Sequence, residues 1–438
     1  MMPVRRLATR LWRGFDGLAG DTLWSGLHDG IALLSSMASF YLITRALPTE
    51  RYGGYVGLYG LLGAVGAFSY SGVGLAALHR LIGERDDPND TLRSFLSLTV
   101  ITGAVLSALA IGLSLAFLRL GALEISLIVV AELLGPAVIF ISALLIQGVS
   151  GFAASVRVKL GVVAIRLSSV VLLHLTGHLT LTALGLTILT SFVVYGAWIL
   201  AVHLPRHGYI VSFGWPNGLS LRSSGVFSVP MVATKLQTDA DKFLLNAFGF
   251  RAEAGVYGAA YRIVLLGLTP LGSLDTAAFQ RFLPRGEPGE IGAHWRRSTR
   301  LAMLMAAASV VVALGLWVCL PLLHFLIEDR YDEAFDIVPW LLFTVPLLST
   351  SNLALNGLLG LGRPATRMNV TIASSLISMV SYLVLIPSNG WKGAVAATYI
   401  SEVALAVFAW TTLWHHQRRT DDDVRRAAAP PMETGRRG

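Results

Sequence analysis

The chain has 438 residues, 54% of them hydrophobic and only 14% charged, with a mean hydropathy of +0.64 and a net charge of +8. A soluble domain carries about 25% charged residues, so this much apolar sequence excludes a single water-solvated core and calls for lipid as solvent. The lone cysteine, Cys319, excludes disulfides and multi-cysteine metal sites; inside an apolar stretch it reads as a small buried hydrophobe.

The chain opens on Arg5, Arg6, Arg10 and Arg13. The apolar stretch behind them is too long for a signal peptide and holds Asp29, so it reads as a retained first span. Hydrophobic segments then predict twelve helices, at 24–47, 53–79, 94–118, 123–147, 159–176, 181–204, 224–248, 254–280, 300–327, 335–360, 369–386 and 392–414. This divides the chain into a cytoplasmic segment 1–23, a six-helix lobe 24–204, a linker 205–223, a second six-helix lobe 224–414 and a tail 415–438. The linker carries Pro205, Gly208, Gly214, Pro216 and Gly218, and the polar tail carries Pro430-Pro431 and reads as disordered.

Of the 34 Lys and Arg residues, 24 fall on one side of these spans and 6 on the other. That bias places both termini in the cytoplasm and spreads the positive charge along the loops, with no compact nucleic-acid surface. No external connection is longer than about seven residues, which leaves no room for an extracytoplasmic catalytic domain. There is no G-x-x-x-x-G-K-[ST] phosphate loop, and Asp239-Ala240-Asp241 mimics a metal-binding D-x-D only within a span.

Two segments repeat. Gly53 to Tyr59 and Gly255 to Tyr261 both read G-x-Y-x-x-x-Y, 202 positions apart, and Arg80-Leu81-Ile82 is echoed by Arg281-Phe282-Leu283. With six spans per half, such repeats are related by an axis along the membrane normal, as in two-lobed transporters.

Ionisable groups at membrane depth cost several kcal/mol on insertion scales and mark cavities or paired networks. Four cations fall within spans: Arg166, Lys235, Lys242 and Arg262. Lys235, Asp239, Lys242 and Asn246 share one face of the seventh helix, with Asp241 turned roughly 200° away. Arg262 lies at the depth of Asp241 on the next helix and reads as its partner or as a cavity cation. Arg166 fits a cavity or a snorkelling position, and Asp29 a cavity or an interface. Glu132 and Glu402 fit proton carriers or carboxylates bonded between helices. Tyr59 and Tyr261, as repeat mates, fit a cavity lining or packing at the repeat.

The segment from Thr238 to Pro284 resembles the seventh and eighth helices of polysaccharide flippases, whose pattern of a membrane Asp, a short turn, "vGxYxxAxR" and a later Pro is met by Asp241, Gly255, Tyr257, Ala260, Arg262 and Pro284. LITRALPTERYGGY and LNGLLGLGRPATRMNV are similar to two further family segments. The resemblance implies an all-α polytopic membrane protein of the MOP exporter (MATE-like) fold, with two six-helix lobes forming a V around a central cavity. It implies a flippase of the bacterial inner (plasma) membrane that moves an isoprenoid-pyrophosphate-linked oligosaccharide outward by alternating access. Arg262, Lys242, Lys235 and Arg166 would meet the anionic head, with Asp239 and Asp241 diluting that charge. No cofactor is implied beyond H+ or Na+ coupling, for which Asp29, Glu132 and Glu402 are the candidates. Partners would be the lipid-linked oligosaccharide, membrane lipid and a glycan polymerase or glycosyltransferase. Three other readings remain: a cation-coupled multidrug exporter on the same fold, a membrane glycosyltransferase or polymerase, and a scaffold docking through the tail.

Overall fold

The computed structural model describes residues 3–216, 218–279, 290–324 and 329–428. Among them the chain forms twelve long helices and no strand. In chain order these are α1 (Pro3–Ala46), α2 (Thr49–Glu84), α3 (Pro88–Phe117), α4 (Ala122–Ser150), α5 (Phe152–Leu175), α6 (Leu181–Arg206), α7 (Gly218–Ala247), α8 (Arg251–Phe279), α9 (Glu290–His324), α10 (Glu333–Gly360), α11 (364–389) and α12 (391–428). Eight stretches are long and apolar enough to cross a membrane. One of them, Pro364–Arg418, is α11 and α12 joined at Gly390. Helices α1, α7 and α8 fall outside that set; α7 yields apolar positions to Lys235, Asp239, Asp241 and Lys242.

Local chemistry sets the ends. Pro48 closes α1 and precedes α2, since proline cannot continue a helix but suits a helix start. Asp87 caps α3 by accepting from the backbone of Asn89 and Asp90, with Pro88 in the first turn. Gly390 reverses the chain at φ 55° and ψ −132°, a conformation closed to residues with a β-carbon.

Helix α1 packs on α5, and α4 packs on α5 and α6; in the second half α10 gathers α8, α9 and the α11–α12 pair. Between halves, α2 lies along α7 and meets α8, whereas α1 and α8 touch sparsely. The buried apolar residues of both halves join into one main cluster, with Leu58, Ile125, Leu145, Tyr257 and Val338 fully enclosed. Large apolar side chains such as Val194, Val311, Val318 and Val384 point outward, the surface that lipid solvates. Cys319 belongs to that outer surface of α9. It was expected inside; beside exposed Val318 and Leu322 its exposure to lipid carries no hydrophobic penalty.

Two boundaries differ from expectation. Helix α1 begins at Pro3 and not near residue 24, and the segment read as a disordered tail is helical through Ala428. Both extend a helix that is already formed, whose existing turns make added turns cheap. Arg281-Phe282-Leu283 and Pro284 lie outside the described residues.

The linker after α6 is strapped to the first half. The Tyr209 hydroxyl donates to Leu145 O at 2.8 Å, Ile210 N donates to Asn89 Oδ1 at 2.8 Å, and Gly214 N donates to Ser97 Oγ at 2.9 Å. Burial pushes the Tyr209 phenol up to about 12, so it remains a neutral donor across the physiological range.

Candidate functional site: a cavity holding two guanidinium groups

A cavity of about 210 Å³ lies between α1, α2 and α5, with Ile188 of α6 and Arg262 of α8 completing its wall. Its walls follow from helical spacing. Helix α1 presents Ser35, Ser36 and Ser39, and α2 presents Tyr52, Tyr55 and Tyr59 at i, i+3 and i+7. Arg166 enters from α5. Arg166 lies nine residues from Leu175 and Arg262 eleven from Arg251, so both sit about 15 Å from the cation-poor end of the bundle.

The two arginines differ in state. Arg166 Nη2 donates to Glu132 Oε2, and the Tyr59 hydroxyl donates to Glu132 Oε1 at 2.6 Å. Each Glu132 oxygen therefore carries one donor, and Arg166, with 40% of its side chain exposed, has its charge balanced locally. Arg262 Nη1 donates to Ser36 Oγ at 2.5 Å and has no ion-pair partner among the described residues. Arg262 thus supplies the uncompensated charge of the cavity and bridges the otherwise sparse contact between α1 and α8.

Above this cavity, toward the cation-poor end, aromatic rings close the bundle. Tyr52 lies 5.9 Å from Phe40, 6.1 Å from Tyr55 and, edge-on, 5.7 Å from Tyr331. Next to them the repeat mates Gly53 and Gly255 meet: a β-carbon on Gly53 would strike Arg251 O, and one on Gly255 would strike Thr49 O. The repeated sequence is a back-to-back contact between the starts of α2 and α8. Gly57 and Gly60 extend the seam to Asn246, Lys242 and Asp239 of α7, the close approach that small residues permit in membranes.

The charges of α7 form a separate cluster and do not line the arginine cavity. Lys242 Nζ donates to Thr238 O at 2.7 Å, lies 3.1 Å from Asp241 Oδ1 and 3.3 Å from Asp239 Oδ1, and stands 3.8 Å over the Tyr261 ring. Lys235 pairs with Asp239 at 3.3 Å and is half exposed. Asp241 also accepts from the Tyr257 hydroxyl at 2.7 Å. Of the two readings of Arg262, partner of Asp241 or cavity cation, the pair does not form: Lys242, one residue on, engages Asp241, and Arg262 lines the cavity. Two cations and two anions make this cluster neutral as a whole. Tyr59 and Tyr261, though repeat mates, serve the two different groups.

Glu402 is buried in α12 and accepts from Gln237 Nε2 at 3.2 Å; its Oε2 has no hydrogen-bond partner among the described residues. It borders a void of about 20 Å³ shared with Asp241, Tyr261 and Thr398. Asp29 is half exposed, bonded to His28 Nδ1 at 3.0 Å, and away from the cavity. Ser36, Tyr52 and Tyr55 are cavity residues that sequence reasoning passed over, although the i, i+3, i+7 tyrosine spacing was present.

No protein-family model and no curated protein sequence matches the chain. Solved structures do. An inward-facing multidrug resistance MATE family transporter of the MOP superfamily is 15% identical, with 91% of this chain and 96% of that one covered and a TM-score of 0.68. An outward-facing MATE transporter of the same superfamily is 14% identical over 93% and 94%, with a TM-score of 0.54. A MOP superfamily transporter from Pyrococcus furiosus, described as having a binding pocket of reverse polarity, is 14% identical over 91% and 96%, with a TM-score of 0.58. The chain is a polytopic membrane protein with the MOP-superfamily fold.

Proposed function

We propose that this protein is a membrane transporter that flips an isoprenoid-pyrophosphate-linked oligosaccharide from the cytoplasmic to the outer leaflet, by alternating access, without enzymatic chemistry. The observation that carries this reading is the unpaired Arg262 facing Arg166 in one polar, tyrosine- and serine-lined cavity. A guanidinium at that depth costs roughly 2.5–3.5 kcal/mol on insertion scales, and a forked donor matches phosphate oxygens. A cationic cavity suits an anionic head and opposes an organic cation, which separates this chain from a cation exporter of the same fold. The reverse-polarity pocket described for the Pyrococcus furiosus transporter gives precedent for such a departure.

On this reading the cation-rich end faces the cytoplasm, and the sealed aromatic end faces out. The better match to the inward-facing relative supports a resting state open to the cytoplasm. The sparse α1–α8 side would let the lipid tail stay in the bilayer while the head enters. Cargo motion would be driven by H+ or Na+, with Glu402 and Glu132 as candidate carriers, or by consumption of the product outside by a glycan polymerase or glycosyltransferase.

The test is the leaflet location of lipid-linked oligosaccharide in spheroplasts depleted of the protein, read with an impermeant glycan label. Accumulation on the cytoplasmic leaflet, reversed by wild type but not by Arg262→Ala, is the expected result. Normal outward exposure after depletion would overturn the reading.

A further inference from the structure

We propose that the outward-facing groove between α5 and α6 is a docking site for an anionic phospholipid of the cation-rich leaflet. The groove holds about 660 Å³ and is lined by Ile165, Thr190, Ser191, Val194, Tyr195 and Trp198. It shares no residue with the arginine cavity. The absence of a side chain at Gly161 makes room for the Tyr195 ring, whose hydroxyl donates to Val158 O at 3.1 Å.

From that ring a ladder runs to the end of α6. Tyr195 and Trp198 stack at 5.8 Å and 11°, Trp198 and His203 at 5.1 Å and 23°, and His203 and His207 approach to 4.6 Å. His207 Nδ1 donates to His203 O at 2.9 Å, which leaves Nε2 to the outside, where the doubly protonated ring would donate to an anion. Exposed Arg206 stands beside it, whereas Arg157, at the same end of α5, is turned to α1 with its guanidinium 5.6 Å from the Trp24 ring. The groove is apolar along its length and ends in aromatic and cationic groups, the arrangement that suits acyl chains below and a phosphate above.

The charge pattern selects an anionic head. The chain has no Asp or Glu anywhere from residue 133 to 238, a stretch that contains all of α5, α6 and the linker. Of the carboxylates brought near by packing, Asp29 is bonded to His28 and faces Lys159, and Glu132 is held by Arg166 and Tyr59. Asp87 and Asp90 stand at the start of α3 beside Asn89, which accepts from Ile210 N, and Asp87 is engaged there as the cap of that helix. A phosphatidylcholine head would bring its own ammonium into this field, whereas a phosphatidylglycerol head brings only the phosphate.

Native mass spectrometry of the full-length protein in detergent, titrated with phosphatidylglycerol or phosphatidylcholine of identical chains, tests the site. Each basic residue near a membrane surface is worth about fivefold in binding an anionic lipid. Wild type should retain phosphatidylglycerol in preference, and Arg206→Ala should lower that preference about fivefold. Adding His207→Ala should lower it further, and Trp198→Ala should weaken retention of both lipids. Arg222→Ala, off the groove on α7, should change nothing, and thermal unfolding would confirm that each variant is folded. Equal retention of the two lipids by wild type would overturn the proposal. So would an effect of Arg222→Ala equal to that of Arg206→Ala, which would mean diffuse charge and no site.

Discussion

Gly53 and Gly255 stand back to back at the cation-poor end of the bundle, each occupying the space where the other's helix would reject a β-carbon. The contact joins the two halves directly beside the aromatic seal formed by Tyr52, Phe40 and Tyr331. Its geometry leads to the first expectation.

Gly53→Ala and Gly255→Ala should each loosen this end, since overpacking against backbone costs about 1–3 kcal/mol. If that cost falls on the sealed state, a cysteine placed at Tyr52 should react with an impermeant thiol reagent fivefold or more faster in the variant. The cysteine background needs only Cys319 replaced. Unchanged labelling rates would show that the glycine contact does not hold the end shut.

Arg262→Ala should lower transport of an anionic cargo by about tenfold to a hundredfold, the worth of charge-assisted hydrogen bonds. Arg262→Lys should recover only part of it, because an ammonium keeps the charge and loses the fork. Comparable activity of wild type and Arg262→Ala at matched membrane levels would remove the residue from the cargo path.

Glu132→Gln should raise the net charge of the cavity by one, since Arg166 loses its counter-ion. Binding of inorganic pyrophosphate to the purified protein, followed by calorimetry, should tighten severalfold. Tyr59→Phe removes only the second hydrogen bond to Glu132 and should leave that affinity close to wild type.

The neutral α7 cluster should behave as a unit. Lys242→Met strands Asp241 and should destabilise the protein by roughly 3–5 kcal/mol, as for other broken buried pairs. Pairing it with Asp241→Asn should return much of the loss. A double-mutant cycle on thermal stability in detergent measures the coupling; additive losses would mean that the two groups do not depend on each other. On this geometry Asp241→Asn alone should affect stability more than cargo recognition, a change from the joint Arg262–Asp241 role that sequence suggested.

Gly390→Ala should also destabilise, by about 1–3 kcal/mol for the strained turn. The new methyl would displace Glu253, whose carboxylate accepts from Trp391 N at 2.8 Å. A melting temperature equal to wild type would sink this account of the α11–α12 reversal.

Much of the architecture was legible because membrane helices announce themselves by length and apolarity, and Pro48, Gly249 and Gly390 fall where the chain turns. Arg166 and Arg262 were legible as cavity candidates because charge at that depth needs a reason. Their partners were not. Which face of α8 meets α1 depends on helix rotation and on the position of α1, which pairing by depth along neighbouring helices does not supply. Lys242 misled for the opposite reason: its pairing with Asp241 is a contact between adjacent residues, which helical-face arguments discount. The G-x-Y-x-x-x-Y repeat is legible as two like segments, but that the copies touch follows from how α2 packs on α8.

The strapped linker has a consequence for how far the halves can travel. Gly214 is fastened to Ser97 of α3, and α7 begins at Gly218. Four residues stretch at most about 14 Å. While Gly214 stays fastened, the head of α7 is on a leash of that length, so any opening of the cation-rich end is bounded by the chain itself, and a wider excursion would first have to unhook Gly214.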